Sequence, residues 1–131
     1  MKENMEKLDS YYKNALVLAY LGDSVFSLYV REYLVRKYAT KTNGLNKLAN
    51  QVVCARSQAE FMTEIMPNLT EDEHDIVMRA RNSHINSKAK NSTIHEYSLA
   101  TQFEALIGYW YLNGEKDKIQ DVFYKYVMER L

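Results

Sequence analysis

Cysteine, proline and glycine are all scarce in this chain of 131 residues, which has one, one and four of them. With Cys54 alone, no internal disulfide can form and no cysteine cluster can hold zinc, a pattern that fits a reducing compartment. With only Pro67 and four glycines as punctuation, the backbone is free to run in long helices. Net charge is also lacking, because 17 basic side chains offset 17 acidic ones, so bulk electrostatics do not mark a nucleic-acid binder. No apolar run approaches the roughly 20 residues of a membrane-spanning helix. The opening Met1-Lys2-Glu3-Asn4-Met5-Glu6 is too charged for a signal peptide. The expectation is a cytoplasmic protein with no membrane partner. Its length suits one domain, 1–131, with a core that needs neither disulfide nor structural metal.

The charge that is present is segregated. From Ile76 to His95 there is no acid, yet Arg79, Arg81, Lys88 and Lys90 occur. From Val30 to Asn50, Arg31, Arg36, Lys37, Lys41 and Lys47 face only Glu32. A solvated helix face is the common reason for any one such run. It explains less well why a neutral chain sorts its charges.

The apolar pattern is helical throughout. Val17, Leu21, Phe26, Tyr29, Val30, Tyr33 and Leu34 recur at three- and four-residue spacings and predict a helix over 14–38. A loop over 40–44 and one helix over 45–65 follow, the latter carried by Leu45, Leu48, Val52, Ala55, Ala59 and Met62. After the break at Pro67, Thr70-Glu71-Asp72-Glu73 reads as a capping box that opens a helix to about Arg81. Asn82 to Ser92 reads as a polar loop. Residues 95–113 form the most apolar helix, ended by Asn113-Gly114, and 115–130 an amphipathic one. The fold class is therefore all-α. The helix bearing Tyr109-Trp110-Tyr111 is apolar nearly all round, so it is either central or covered at an oligomer interface.

Two segments carry chemistry. Leu18-Ala19-Tyr20-Leu21-Gly22-Asp23-Ser24-Val25-Phe26 and Phe103-Glu104-Ala105-Leu106-Ile107-Gly108 each place one carboxylate in an apolar helical stretch beside or near a glycine. A carboxylate in such surroundings needs a cation, a donor or a metal. Glycines at Gly22 and Gly108 cost helix propensity, which close helix–helix approach would repay by bringing Asp23 and Glu104 together. Taken singly, Asp23 could instead cap a helix starting at Ser24, and Glu104 could pair with an arginine.

Together the two runs resemble the signature and second motif of the ribonuclease III catalytic domain, over about Ala15 to Leu112. The nearest likeness is to the short bacterial mini-ribonuclease III form, which lacks a separate double-stranded-RNA-binding domain. The resemblance implies an endoribonuclease that cleaves double-stranded RNA to 5′-phosphate products, with Asp23 and Glu104 as catalytic residues and magnesium ligands. Manganese can substitute for magnesium in such sites. It also implies a homodimer with one site per strand, and a role in maturing the large-subunit (23S) ribosomal RNA precursor. On that basis the tryptophan-bearing helix is expected near the dimer interface. Ribonuclease III carries a glutamate four residues before the signature aspartate and an aspartate three before the second glutamate. Ala19 and Thr101 stand at those positions here, as in the mini forms.

Around the polar loop, Arg79, Arg81, Asn82, Lys88, Lys90 and Asn91 are candidate RNA contacts, since duplex RNA is read through phosphates and 2′-hydroxyls. Glu71-x-x-His74 has the spacing of a carboxylate-bundle ligand pair, but no second such pair exists and a solvated cap explains it better. His84 and His95 have no partner at ligand spacing. Ser24 has no positioned histidine to activate it. Tyr29, Tyr33, Tyr109 and Tyr126 fall on apolar faces and belong to core or interface rather than to base stacking. The rival readings are a non-catalytic RNA-binding or ribosome-assembly module and a helical scaffold. The first keeps the ribonuclease III fold and is supported only by the missing acids at positions 19 and 101; the second explains the helices but not the paired motifs.

Overall fold

A computed structural model describes residues 13–39, 41–83 and 93–131. Its helices are α1 (Ala15–Lys37), α2 (Thr42–Val53), α3 (Ala55–Ile65), α4 (Glu71–Asn82), α5 (Ile94–Leu112) and α6 (Lys116–Val122). One 3-10 turn, Met66–Asn68, joins α3 to α4, and α6 continues into a π-helical turn, Phe123–Val127, and a last 3-10 turn, Met128–Arg130. All elements among the described residues are helical.

The helix starts follow local chemistry. Asn14 Oδ1 accepts from the Leu16 amide at 2.7 Å and opens α1. Thr70 and Glu73 form the expected capping box on α4. Thr93 and Glu96 form a second one on α5. Each box satisfies amides that the first helical turn leaves without partners.

Helix α5 is the centre of the fold. It packs most extensively on α1, then on α3 and α4. Ten of its residues, from Ala100 to Trp110, are buried, which explains why its sequence is apolar on every side. Phe103 meets Phe26 edge to face at 5.0 Å between centroids and Phe61 at 5.8 Å, so aromatic rings lock α1, α3 and α5 together. Trp110 is only 3 % exposed within the single chain. The tryptophan therefore lies in this chain's own core, while its neighbour Tyr111 on the same helix is exposed. Tyr109 is buried, while Tyr29, Tyr33 and Tyr126 pack partly buried against the core.

Three boundaries differ from the sequence-based reading. Residues 42–44 already belong to α2 rather than to a loop. The single helix expected over 45–65 is broken at Cys54, whose ψ of 157° is extended. Ser57 Oγ seals the break by donating to the Gln51 carbonyl at 2.6 Å, one of the acceptors a helix end leaves open. The final helix loses its regular pitch at Phe123, where the chain winds more loosely before Leu131. Tyr38 closes this end by donating its hydroxyl to the Leu131 carbonyl. No helix among the described residues is long and apolar enough to cross a membrane.

Candidate active site

The site is made by the crossing of α1 and α5. A Cβ added at Gly22 would stand 1.7 Å from the Glu104 carbonyl oxygen, and one at Gly108 would stand 2.0 Å from the Leu18 carbonyl oxygen. Both distances are far inside van der Waals contact, so only glycine permits this approach. The contacts pair Gly22 with Glu104 and Leu18 with Gly108, so the two helices run in opposite directions through the crossing. Asp23 and Glu104 are brought together as a result, far apart in sequence and adjacent in space.

The two carboxylates sit in unlike surroundings. Asp23 is exposed, in the middle of α1, and does not cap a helix. Glu104 is half-buried. Burial first, then the hydrogen bond and the charge of Asp23, push the Glu104 pKa up to about 8. The one opposing influence is the Gln58 side chain, which favours the charged form. Glu104 is thus paired with an acid and an amide, not with an arginine. In the metal-free protein at neutral pH it holds its proton beside Asp23, as expected for two close carboxylates of which one is desolvated.

Gln58 escaped the sequence reading. It is 2 % exposed, and its Nε2 is buried with no hydrogen bond of normal length and angle. The kink at Cys54 resets the rotation of α3, so that Ser57, Gln58, Phe61 and Ile65 turn inward. A continuous helix over 45–65 gives no reason to single out Gln58.

Ala19 and Thr101 flank the pair on the same helix faces and are both buried. The Thr101 hydroxyl donates to the Tyr97 carbonyl at 3.1 Å. Neither supplies charge, and among the described residues no three acids, histidines or cysteines cluster as a metal cage. Two adjacent carboxylates, one of them desolvated beside the other's charge, nevertheless fit a divalent cation. They would occupy part of its octahedral shell and leave positions for water and phosphate.

The other candidates are placed more loosely. Arg79, Arg81 and Asn82 end α4. Arg79 forms an ion pair with Asp75 at 3.0 Å, while Arg81 and Asn82 are exposed. Arg79 and Asn82 share a surface hollow with Lys13 and Asn14 at the start of α1. Lys88, Lys90, Asn91 and His84 lie outside the described residues. His74 and His95 are exposed, and so is Ser24. Among the described residues Glu73 is the fully buried acid. It accepts from Trp110 Nε1 at 2.8 Å and from Lys118 Nζ at 2.5 Å, a clamp between α4, α5 and α6.

Comparison with known proteins places the chain among its relatives. The Ribonuclease III domain family matches residues 16–115. A mini-ribonuclease 3 of Brevibacillus brevis is 45% identical over 92% of this chain and 90% of its own length. One of Clostridium tetani is 40% identical over 92% and 80%. The crystal structure of a Fusobacterium nucleatum protein superposes with a TM-score of 0.84 at 30% identity, covering 91% of this chain and 95% of that one. With both motifs meeting at one helix crossing and relatives of this similarity along nearly the whole chain, the protein belongs to the ribonuclease III domain family and is an endoribonuclease.

Proposed function

We propose that this endoribonuclease cleaves double-stranded RNA at the Asp23–Glu104 site, with the precursor of large-subunit (23S) ribosomal RNA as its substrate. Residues 1–131 act as one catalytic domain, and the working unit is a cytoplasmic homodimer that presents one site to each strand. The observation that carries this reading is the glycine-enforced crossing that holds two carboxylates side by side.

Asp23 and Glu104 would hold magnesium, or manganese in its place. Such a cation supplies charge neutralisation at phosphorus and a more acidic water. Glu104, half-buried on α5, would hold the cation as the ionised inner carboxylate of the pair. Asp23, exposed on α1, faces the incoming phosphate and its water. Ala19 and Thr101 bring no charge, so RNA phosphate and water must complete the shell. Metal and RNA binding are then positively coupled. Arg81 and Asn82, with Arg79, Lys88, Lys90 and Asn91, supply phosphate and 2′-hydroxyl contacts along the duplex. Hydrolysis leaves a 5′-phosphate and a 3′-hydroxyl.

The test is single-turnover cleavage of precursor ribosomal RNA and of a plain duplex, with end mapping. Asp23→Asn should abolish cleavage while keeping the melting temperature and the RNA affinity measured without divalent metal. Near-normal cutting by this variant would remove the carboxylate pair from the active site. Cutting of the plain duplex without any defined cut in the precursor would leave the duplex activity and refute the ribosomal substrate.

A further inference from the structure

Gln58 is a costly residue where it stands. Its side chain is 2 % exposed, on the inward face of a helix whose other buried residues include Phe61, Met62 and Ile65. Its Nε2 has no hydrogen-bond partner of normal geometry. A buried donor without a partner costs on the order of 1–3 kcal/mol, and an apolar side chain of similar length would avoid that cost. Such a residue marks a place where folding has yielded to something else.

Its position suggests what that is. Helix α3 packs on α5, and the amide of Gln58 acts on Glu104. The rotation of α3 that aims it there is fixed by the extended backbone at Cys54 and by the Ser57 hydroxyl on the Gln51 carbonyl. A carboxylate that ligates a cation through one oxygen keeps its other oxygen as a strong acceptor. Partners of that oxygen commonly set the orientation of the ligand.

Building on the Asp23–Glu104 site proposed above, we propose that Gln58 is a positioning residue: its buried amide, which lacks a normal partner in the metal-free protein, donates through Nε2 to the Glu104 carboxylate when the cation is bound and orients it. Gln58 touches neither RNA nor the reacting atoms. It takes the place of part of the charge-based organisation that acids at positions 19 and 101 would otherwise give. Its donor is a neutral amide, which orients a carboxylate without competing with the cation for it.

The experiment titrates manganese(II) into the RNA-free protein, followed by electron paramagnetic resonance, for wild type, Gln58→Met, Gln58→Leu and Glu104→Gln. Thermal melting without metal runs in parallel. Both Gln58 variants should melt at or above wild type, because an unpartnered buried donor has been removed. Their manganese affinity should fall about 10- to 100-fold. Cleavage should be lost at low metal and partly recovered by raising it. Two apolar variants guard against a packing fault peculiar to one. Unchanged manganese affinity in either folded variant overturns the proposal, as does a lower melting temperature with intact affinity, which would make Gln58 a structural filler. Loss of manganese by Glu104→Gln with none by the Gln58 variants refutes only the role of Gln58. Wild-type manganese binding by Glu104→Gln refutes the site itself.

Discussion

Glu104→Gln should make the metal-free protein more stable while destroying its activity. The folded protein holds the Glu104 pKa at about 8, against 4.5 for an unperturbed glutamate. Between those values the folded state binds more protons than the unfolded chain, so stability falls as pH rises through the window and levels off above it. Below pH 4.5 both states are protonated and the penalty vanishes. One pKa unit corresponds to about 1.4 kcal/mol, which sets a ceiling of about 5 kcal/mol for the full shift. Solvent reaching Glu104 beside the exposed Asp23 weakens the repulsion, so an effect of about 2 kcal/mol is expected at pH 9. Glutamine matches the neutral acid in shape and never ionises. The melting curves of wild type and variant should therefore coincide near pH 5 and separate by roughly 8 °C at pH 9 without divalent metal. The same linkage makes magnesium binding by wild type at pH 7 release a proton, seen as a dependence of calorimetric heat on buffer. Melting temperatures that stay parallel from pH 5 to pH 9 would refute the reasoning, because Glu104 would then not be the group carrying the strain.

Gly22→Ala would force α1 and α5 about 1.5 Å apart, given a Cβ otherwise 1.7 Å from the Glu104 carbonyl oxygen. Denaturant titration should show a loss of about 3 kcal/mol or more, and any folded fraction should cleave at least about 100-fold more slowly. Glu73→Gln weakens the clamp on Lys118 and Trp110 and should cost about 2 kcal/mol at pH 7 with an unchanged cleavage rate per folded molecule. Burial alone would raise the Glu73 pKa, but Lys118, the Thr70 amide and Trp110 together lower it. Its contribution is therefore complete above pH 4.5 and disappears as pH falls below, so the two proteins should converge in acid melting curves. Arg81→Ala should reduce RNA affinity and lower the log–log salt slope by about one unit, whereas Arg79→Ala should do less because Asp75 already engages that guanidinium. Equal, negligible effects on the slope would move the RNA contacts to Arg31, Lys41 and Lys47.

Much of this protein could be read along one dimension. The spacing of apolar residues marks each helix because the buried face of a helix is a local property of 3.6-residue periodicity. The box at Thr70 and the stop at Asn113-Gly114 are equally local, and Gly114 does take the left-handed φ of 74° that such an ending uses. The two carboxylate motifs with Gly22 and Gly108 identified the family and the pair of helices that must touch. Tertiary structure decided what depends on the phase between elements. One extended residue, Cys54, splits a run whose apolar spacing looks continuous, and the new rotation of α3 puts Gln58 in the core beside Glu104. Whether an apolar helix is wrapped by its own chain or by a second copy is likewise invisible to periodicity, and Trp110 is covered here by its own chain. The rise in the Glu104 pKa arises only when desolvation and Asp23 act on it at once. Sequence spacing states which residues share a helix face; which faces meet, and how closely, is fixed by backbone contact at Gly22 and Gly108.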